Sequence, residues 1–133
     1  MASDENVTIH PTAIVENGAQ LGKNVKIGPY ASVGSQVILG DDVEVFSHAI
    51  VTGNTTIGSR TKIYPFATIG MVPQDLKYEG ENSSLICGSD NIFREYSNVS
   101  IGTKAGGGKT VIGSHNLVMI RVHVAHDCIV GNH

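Results

Sequence analysis

The 133-residue chain has few of the residues that mark several common classes of protein. It contains no tryptophan, only 5% aromatic residues and only 16% charged residues, and its formal net charge is −3. This slight acidic excess argues against a general nucleic-acid binder, because such proteins usually carry a basic surface. No run of about 18 apolar residues occurs, so we expect no membrane span.

Cysteine is also scarce. The chain has two cysteines, Cys87 and Cys128, too few for the disulfide framework of a small secreted domain. We therefore expect a reducing, cytoplasmic location. Both cysteines stand where the repeat described next places interior residues, so we interpret them as buried filling rather than as nucleophiles.

The main feature that the sequence does contain is a six-residue repeat. An aliphatic residue stands at every sixth position from Ile9 to Ile69, glycine often follows it, and a small or β-branched residue precedes it by two places. Two interruptions break the repeat, at 71–86 and at 102–109. The repeat continues after them at Cys87, Phe93 and Val99 and then, shifted by one residue, at Ile112, Val118, Val124 and Val130.

A period of six matches neither a helix, with about 3.6 residues per turn, nor a long strand, with a period of about two. It fits a short strand followed by a turn, and three such units close a triangular coil of about 18 residues. Stacked coils form a parallel β-helix, an all-β solenoid shaped as a triangular prism. We predict one such domain over residues 1–133, with loops at 71–86 and 102–109. The recurrent glycine is expected to provide positive φ or close backbone approach at the turns.

The segment 120–128, "IRVHVAHDC", holds the densest group of chemically active side chains. The repeat directs Val122, Val124 and Cys128 to the interior, and it directs the two histidines, His123 and His126, out of the prism. Asp127 falls beside a turn. The spacing alone fits three interpretations of the histidines: exposed polar residues, ligands of a zinc ion that needs a third ligand, or a base near a hydroxyl.

The interruption at 71–86 gathers three polar residues, Gln74, Asp75 and Lys77, into one short stretch. Loops at the corners of a solenoid often form its binding face. A lysine can bind a phosphate and a carboxylate can accept hydrogen bonds from sugar hydroxyls. The sequence leaves open whether this loop binds a ligand or is only a solvated charged loop.

The second interruption, "GTKAGGGKT", partly matches the phosphate-binding P-loop. That motif requires a glycine five residues before Gly108, where this chain has Thr103, and it requires a following helix. The six-residue repeat resumes instead. We therefore reject a nucleoside triphosphatase and interpret the glycines as a flexible loop that projects from a corner.

Four segments resemble the bacterial UDP-N-acetylglucosamine O-acyltransferases that begin lipid A synthesis. They are 9–30, 69–81 ("IGMVPQDLKYEGE"), 106–119 ("GGGKTVIGSHNLVM") and 123–132 ("HVAHDCIVGN"). The resemblance spans essentially this whole chain and about half of a typical family member. It implies a left-handed β-helix, a hand that the spacing does not give. It also implies that the helical C-terminal domain of the family is absent here.

The resemblance further implies an activity: transfer of a 3-hydroxyacyl group from acyl carrier protein to the 3-hydroxyl of UDP-N-acetylglucosamine. His126 matches the family's general base, and Asp127 would orient it. The residues that match substrate-binding positions are Gln74, Asp75, Lys77 and His123. The family works as a homotrimer with clefts between subunits and needs no metal or other cofactor.

One departure from the family bears on activity. Many relatives read I-H-R-G-T where this chain has 99–103, so Ser100 and Ile101 replace a histidine and an arginine. We expect any substrate contact of those two residues to be lost or altered. Two other functions stay open, a non-catalytic trimeric remnant of the fold and a zinc enzyme like the β-helical carbonic anhydrases, which would need three converging histidines.

Overall fold

A computed structural model describes residues 6–133, which form 18 short strands and no helix. Residues 1–5 of the predicted domain lie outside the described residues. The strands assemble into three parallel sheets of six strands each, which we call sheets A, B and C.

The chain visits the three sheets in rotation. Sheet A contains β1 (Thr8–Ile9), β4 (Lys26–Ile27), β7 (Glu44–Val45), β10 (Lys62–Ile63), β13 (Ile92–Phe93) and β16 (Leu117–Val118). Sheet B contains β2 (Ile14–Val15), β5 (Ser32–Val33), β8 (Ile50–Val51), β11 (Thr68–Met71), β14 (Asn98–Ser100) and β17 (His123–Val124). Sheet C contains β3 (Gln20–Leu21), β6 (Ile38–Leu39), β9 (Asn54–Ile57), β12 (Ser84–Cys87), β15 (Lys109–Ile112) and β18 (Ile129–Val130).

The register shows how the two loops enter without disturbing the sheets. In the regular coils, paired residues are 18 positions apart, as in the pair of Ile9 and Ile27. Across the loop between β11 and β12 the separation is 30, in the pair of Ile63 and Phe93. Across the loop between β14 and β15 it is 25, in the pair of Phe93 and Val118. The prediction of a parallel β-helix is therefore confirmed.

The aliphatic residues of the repeat form the core. From Leu21 to Val124 they are at most 9% exposed, and Phe93 is the largest of the fully buried side chains. The small residues two places earlier, such as Val25 and Ala31, fill the interior beside the corners. Burial weakens in the first coil, where Ile9 is 43% exposed, because only one neighbouring coil covers it.

Of the predicted interior positions in the last coil, Val122 is wrong and Cys128 is confirmed only in part, because it packs against the core but is not fully buried. Cys128 is only half-buried and Val122 is 39% exposed, since a preceding coil covers them on one side only. Cys87 is 3% exposed, as predicted. Burial raises the pKa of its thiol to about 12, so it stays protonated and unreactive at neutral pH.

The repeated glycine serves close approach rather than positive φ at most of its positions. A Cβ on Gly22 would lie 2.7 Å from the carbonyl carbon of Gly40 in the next coil. The positive φ falls two residues after that glycine, on a residue that is usually not glycine, as at Asn24 with φ of 60°. Most corner turns of the prism thus pass through one left-handed residue, although the turns at Thr12 and at 34–37 have none.

The corner between sheets A and B, here the aromatic corner, carries a column of stacked rings. Tyr30, His48, Phe66 and Tyr96 all have positive φ, and their ring centroids are 5.3, 5.0 and 5.3 Å apart in that order. The guanidinium of Arg121 covers Tyr96 at 5.8 Å. Aromatic pairs at this spacing add stability beyond their buried area.

The corner between sheets C and A, here the polar corner, carries hydrogen bonds in the same positions. Asn24 donates to Asp42 at 3.1 Å, and Arg60 donates through two nitrogens to Asp90 at 2.8 and 3.0 Å. The corner between sheets B and C, here the loop corner, gives rise to both loops. The loop corner is also where the segment "VAHDC" makes its turn.

Candidate active site

His126 follows the sheet B strand β17 and stands at the loop corner, outside the aliphatic core as predicted. Its side chain is 31% exposed. Asp127 comes next, and its φ of 65° turns the chain toward sheet C. The same left-handed turn that builds the other corners therefore places an imidazole and a carboxylate side by side.

The two side chains form a hydrogen-bonded pair. Nδ1 of His126 lies 2.8 Å from Oδ2 of Asp127. Because a carboxylate only accepts hydrogen bonds, Nδ1 carries the proton in this contact, and the neutral form of the imidazole then has its lone pair on Nε2. Nε2 makes no hydrogen bond with any other residue of 6–133. The arrangement can accept a proton from a hydroxyl brought to the surface at this corner.

Two threonines hold Asp127 in turn. Oδ1 accepts from the backbone N–H of Thr103 at 2.6 Å, and Oδ2 accepts from the hydroxyl of Thr103 at 2.5 Å. The backbone N–H of Asp127 donates to the hydroxyl of Thr110 at 2.9 Å. Desolvation raises the pKa of the Asp127 carboxyl, but the hydrogen bonds from Thr103 and His126 outweigh it and hold the pKa below its usual value. Asp127 is therefore ionised at neutral pH.

His123 lies on the outward face of sheet B and is exposed. Its Nδ1 is 2.7 Å from Oδ1 of Asn98, whose amide donates to the hydroxyl of Thr68 at 2.6 Å. A polar row along three successive strands thus fixes the orientation of His123, which lies on the surface beside the His126 corner.

The predicted binding residues of the first loop form no hydrogen bond or ion pair with His126 among residues 6–133. Asp75 uses Oδ1 to accept from the backbone N–H of Lys77 at 2.9 Å, a contact that shapes the loop itself. Gln74 and Lys77 are exposed, and their side chains have no partner among residues 6–133. The structure brings His126 and Asp127 together and leaves the three loop residues apart from them.

The two loops contact each other beside the loop corner. Glu81 accepts from the backbone N–H of Glu79 at 2.7 Å and from that of Lys104 at 3.1 Å. A cleft of about 630 Å³ opens between the loops, lined by Lys77, Glu79, Glu81, Lys104 and Ala105. The first loop is thereby tied to the second, which in turn holds Asp127.

Sequence reasoning missed Thr103 and Thr110 as parts of this site. In the sequence, Thr103 is distinguished only by its departure from the P-loop motif. Thr110 occupies an interior position of the repeat, which does not indicate a role at the surface. Neither is near Asp127 in sequence, so no local pattern could reveal the contacts.

The two residues that depart from the family pattern are interior ones. Ser100 is 1% exposed and Ile101 is 5% exposed. The side chain of Ile101 lies 3.3 Å from where a Cβ on Gly53 would be. Ser100 therefore packs inside the chain, whereas Ile101, though largely buried, lines a cleft between Gly53, Gly70 and Tyr78.

No group of three or more His, Cys, Asp or Glu side chains within residues 6–133 is arranged to hold a metal ion. His115 lies at the polar corner, where its ring stacks on His133 at 5.1 Å. No helix in the described part of the chain is long and apolar enough to cross a membrane.

Comparison with known proteins gives close relatives. No protein-family model matches the chain. The chain is 56% identical over 123 residues to the acyl-[acyl-carrier-protein]--UDP-N-acetylglucosamine O-acyltransferase of Rickettsia canadensis, a match that covers 92% of this chain and 47% of that protein. The protein of the same name from Rickettsia bellii is 55% identical over 123 residues, with 44% of its length covered.

Solved structures agree with these relatives. The UDP-N-acetylglucosamine acyltransferase of Campylobacter jejuni matches with a TM-score of 0.89 and 38% identity over 94% of this chain and 48% of that one. LpxA of Acinetobacter baumannii matches with a TM-score of 0.80 and 43% identity over 96% of this chain and 47% of that one. The fold is the predicted left-handed parallel β-helix, and the chain spans about half the length of these relatives. The chain is homologous to the N-terminal half of the UDP-N-acetylglucosamine O-acyltransferases.

Proposed function

We propose that this chain acts in the transfer of a 3-hydroxyacyl group from acyl carrier protein to the 3-hydroxyl of UDP-N-acetylglucosamine, the first step of lipid A biosynthesis, in the cytoplasm. The observation that carries the proposal is the His126–Asp127 pair, with its 2.8 Å contact and with Nε2 unpaired among residues 6–133. Relatives at 55–56% identity bear the name of this activity.

His126 is the general base in the proposed reaction. Nε2 takes the proton from the sugar 3-hydroxyl while that oxygen attacks the carbonyl carbon of the acyl thioester. The new C–O bond forms, the C–S bond breaks, and the imidazolium returns its proton to the departing thiolate. A well-placed base of this kind accelerates a reaction by about 10²–10⁴-fold.

Asp127 supports the base in two ways. Its contact with Nδ1 keeps the proton on that nitrogen, so that Nε2 remains the basic atom. Its negative charge stabilises the imidazolium that forms during the reaction. The lowered pKa of the carboxyl keeps this charge in place through the neutral range.

We propose that the active assembly is a homotrimer in which the first loop of one subunit serves the His126 of its neighbour. The exposed ammonium of Lys77 and the exposed amide of Gln74 support this, since neither has a partner among residues 6–133 of its own chain. Lys77 would bind a phosphate of the nucleotide, and Oδ2 of Asp75 would accept from a sugar hydroxyl. His123, on the surface beside His126, would contact the same substrate.

The outward faces of the sheets support an assembly of this kind. Sheet C presents Ile38, Ile86 and Ile129 outward, and these are 40%, 42% and 82% exposed. Sheet A presents charged residues at the equivalent places in its middle coils, namely Lys26, Glu44 and Lys62. Thr56 and Val111 lie between these isoleucines, so the outward column of sheet C is mostly aliphatic and carries no charge from Ile38 to Ile129. Exposed aliphatic side chains are costly in water and suit contact with another subunit.

The test follows acyl transfer by mass spectrometry, with 3-hydroxyacyl carrier protein and UDP-N-acetylglucosamine as substrates. We expect His126→Ala to lower the rate by about 10²–10⁴-fold. His10→Ala is the matched control, because His10 is exposed in the first coil and its ring bonds only Thr12 among residues 6–133. It should leave the rate unchanged.

Two outcomes would contradict the proposal. Equal rates for His126→Ala and the unaltered protein would remove His126 from the mechanism. No transfer by a folded, unaltered protein would mean that this chain does not perform the reaction, and retained binding of the nucleotide sugar would then identify a non-catalytic remnant of the fold.

A further inference from the structure

We propose that the loop 101–108 is a positioning device for His126, in which Thr103 is the positioning residue and Gly106 allows the loop to close. The kinetic part of this inference rests on the proposed function of His126. The geometric part concerns the free protein and is independent of any activity.

Thr103 occupies both oxygens of the Asp127 carboxylate. Its backbone N–H binds Oδ1, and its hydroxyl binds Oδ2, the oxygen that also contacts Nδ1 of His126. A carboxylate held at both oxygens cannot rotate without breaking at least one of these hydrogen bonds. Thr103 is itself only 4% exposed, so its side chain is a fixed point.

The Thr103 hydroxyl uses both of its hydrogen-bonding roles. It donates to Asp127, and it accepts from the backbone N–H of Gly106 at 3.1 Å. The carbonyl of Thr103 also accepts from the backbone N–H of Gly108 at 2.7 Å. A continuous chain of hydrogen bonds therefore runs from the glycines of the loop through Thr103 and Asp127 to the imidazole.

Gly106 packs directly against the Asp127 carboxyl. A Cβ at this position would clash with the carboxyl carbon and with Oδ2. The φ of Gly106 lies outside the positive range, so the backbone itself would accept alanine. By contrast, Gly107 and Gly108 have φ of 102° and 82°, and a Cβ on either would meet nothing within 4 Å. Two of the three glycines provide turn geometry, and one provides space for the carboxylate.

These contacts assign the placement of Nε2 to the loop rather than to the strand that precedes it. Gly106, Thr103, Asp127 and His126 must stay hydrogen-bonded in this order for Nδ1 to keep its proton and for Nε2 to face outward. A displacement of about 1 Å at a reacting group can lower a rate by about 100-fold. Loosening the loop should therefore lower kcat while leaving substrate affinity nearly unchanged.

The test compares four variants. Thr103→Val keeps the shape and the backbone N–H but removes the hydroxyl, and Thr103→Ser restores the hydroxyl. Gly106→Ala pushes on the carboxylate. Gly131→Ala is the matched glycine control, since its Cβ would meet nothing within 4 Å and its φ is not positive.

The first readout is the ¹⁵N spectrum of the His126 ring in the free protein, which distinguishes a proton on Nδ1 from one on Nε2. We expect Thr103→Val and Gly106→Ala to shift population toward the Nε2–H form. Thr103→Ser and Gly131→Ala should keep the unaltered spectrum. In addition, Thr103→Val should raise the pKa of Asp127 toward 3.8, because a donor to the carboxylate is lost.

The second readout is kinetic. We expect kcat to fall about tenfold or more in Thr103→Val and Gly106→Ala, with KM unchanged within about twofold. Unchanged tautomer populations and an unchanged Asp127 titration in both variants would overturn the positioning role, even if the rate fell. If the spectra shift as expected but the unaltered protein transfers no acyl group, the positioning role stands and the proposed function is wrong. Gly106→Ala retains the Thr103 hydroxyl, so it tests the inference independently if Thr103→Val does not fold.

Discussion

The aromatic corner and the loop corner have different side chains, with different contacts, at the same left-handed position of the repeat. Tyr96 at the aromatic corner and Asp127 at the loop corner both turn the chain through positive φ, at 61° and 65°. Tyr96 stacks on Phe66, the equivalent residue one coil earlier. The loop corner is interrupted by the insertions, and Asp127 binds Thr103 of the second loop instead.

The difference shows how a solenoid brings a histidine and a carboxylate into contact at one corner. Where coils follow one another without interruption, equivalent side chains lie about 4.8 Å apart and satisfy each other. An insertion removes the partner from the column, and the left-handed residue is then free to bind something else. At the loop corner this residue is a carboxylate, and it orients the histidine that precedes it.

The largest expected effect is a loss of acyl-transfer rate when the loop corner is altered. Asp127→Asn keeps a side chain that tolerates positive φ but removes the charge that stabilises an imidazolium. We expect the acyl-transfer rate to fall by about 10²-fold or more while the protein stays folded. The measurement is steady-state kinetics beside a circular dichroism spectrum. Asp42→Asn is the control, because Asp42 has φ of 61° at the polar corner and should be replaceable without loss of rate. Equal losses in both variants would refute a special role for Asp127.

A smaller effect is expected at the aromatic corner. Tyr96 contacts two neighbours in the column, Phe66 and Arg121, whereas Tyr30 contacts one, His48. Tyr96→Asn should lower the free energy of unfolding by about 1 kcal/mol and Tyr30→Asn by about half as much, with no change in rate. Urea unfolding measures both. Larger losses for Tyr30→Asn than for Tyr96→Asn would show that stacking does not stabilise this corner.

The smallest expected effect is a difference in acid sensitivity between the loop corner and the polar corner. The pKa of Asp90 is lowered mainly by its hydrogen bond to Arg60, and that of Asp127 by hydrogen bonds from Thr103 and His126 that outweigh desolvation. Both ordinary values are 3.8. Because the folded pKa is the lower one, each carboxylate stabilises the protein above pH 3.8 and loses this contribution as the pH falls through the folded pKa.

Hydrogen exchange at decreasing pH measures this loss corner by corner. We expect the amides of 101–108 to lose more protection than those of the strands around Asp90, because several contacts converge on Asp127 while the Arg60–Asp90 pair is exposed to solvent. An equal or smaller loss of protection in 101–108 would show that the loop is not held by the carboxylate.

Much of the fold could be predicted from the sequence, because a six-residue period reports the same interior position again and again. The outward direction of His126 and the place of Asp127 at a turn followed from that phase. The exposure of Val122 and the half-burial of Cys128 did not, since the repeat cannot tell whether a position is covered on both sides. The contacts of Gly106 and Thr103 with Asp127 could not be predicted either, because loops do not follow the six-residue period.

The sequence by itself determined the coil, the interior column and the corner at which the imidazole stands, since each depends on spacing within a few residues. Only the tertiary structure decided which atoms hold that imidazole. Thr103 and Asp127 are 24 residues apart, and they meet because the second loop folds back over the following coil. Such a contact depends on the path of the loop backbone, which obeys hydrogen bonding and steric fit rather than any repeat written in the chain.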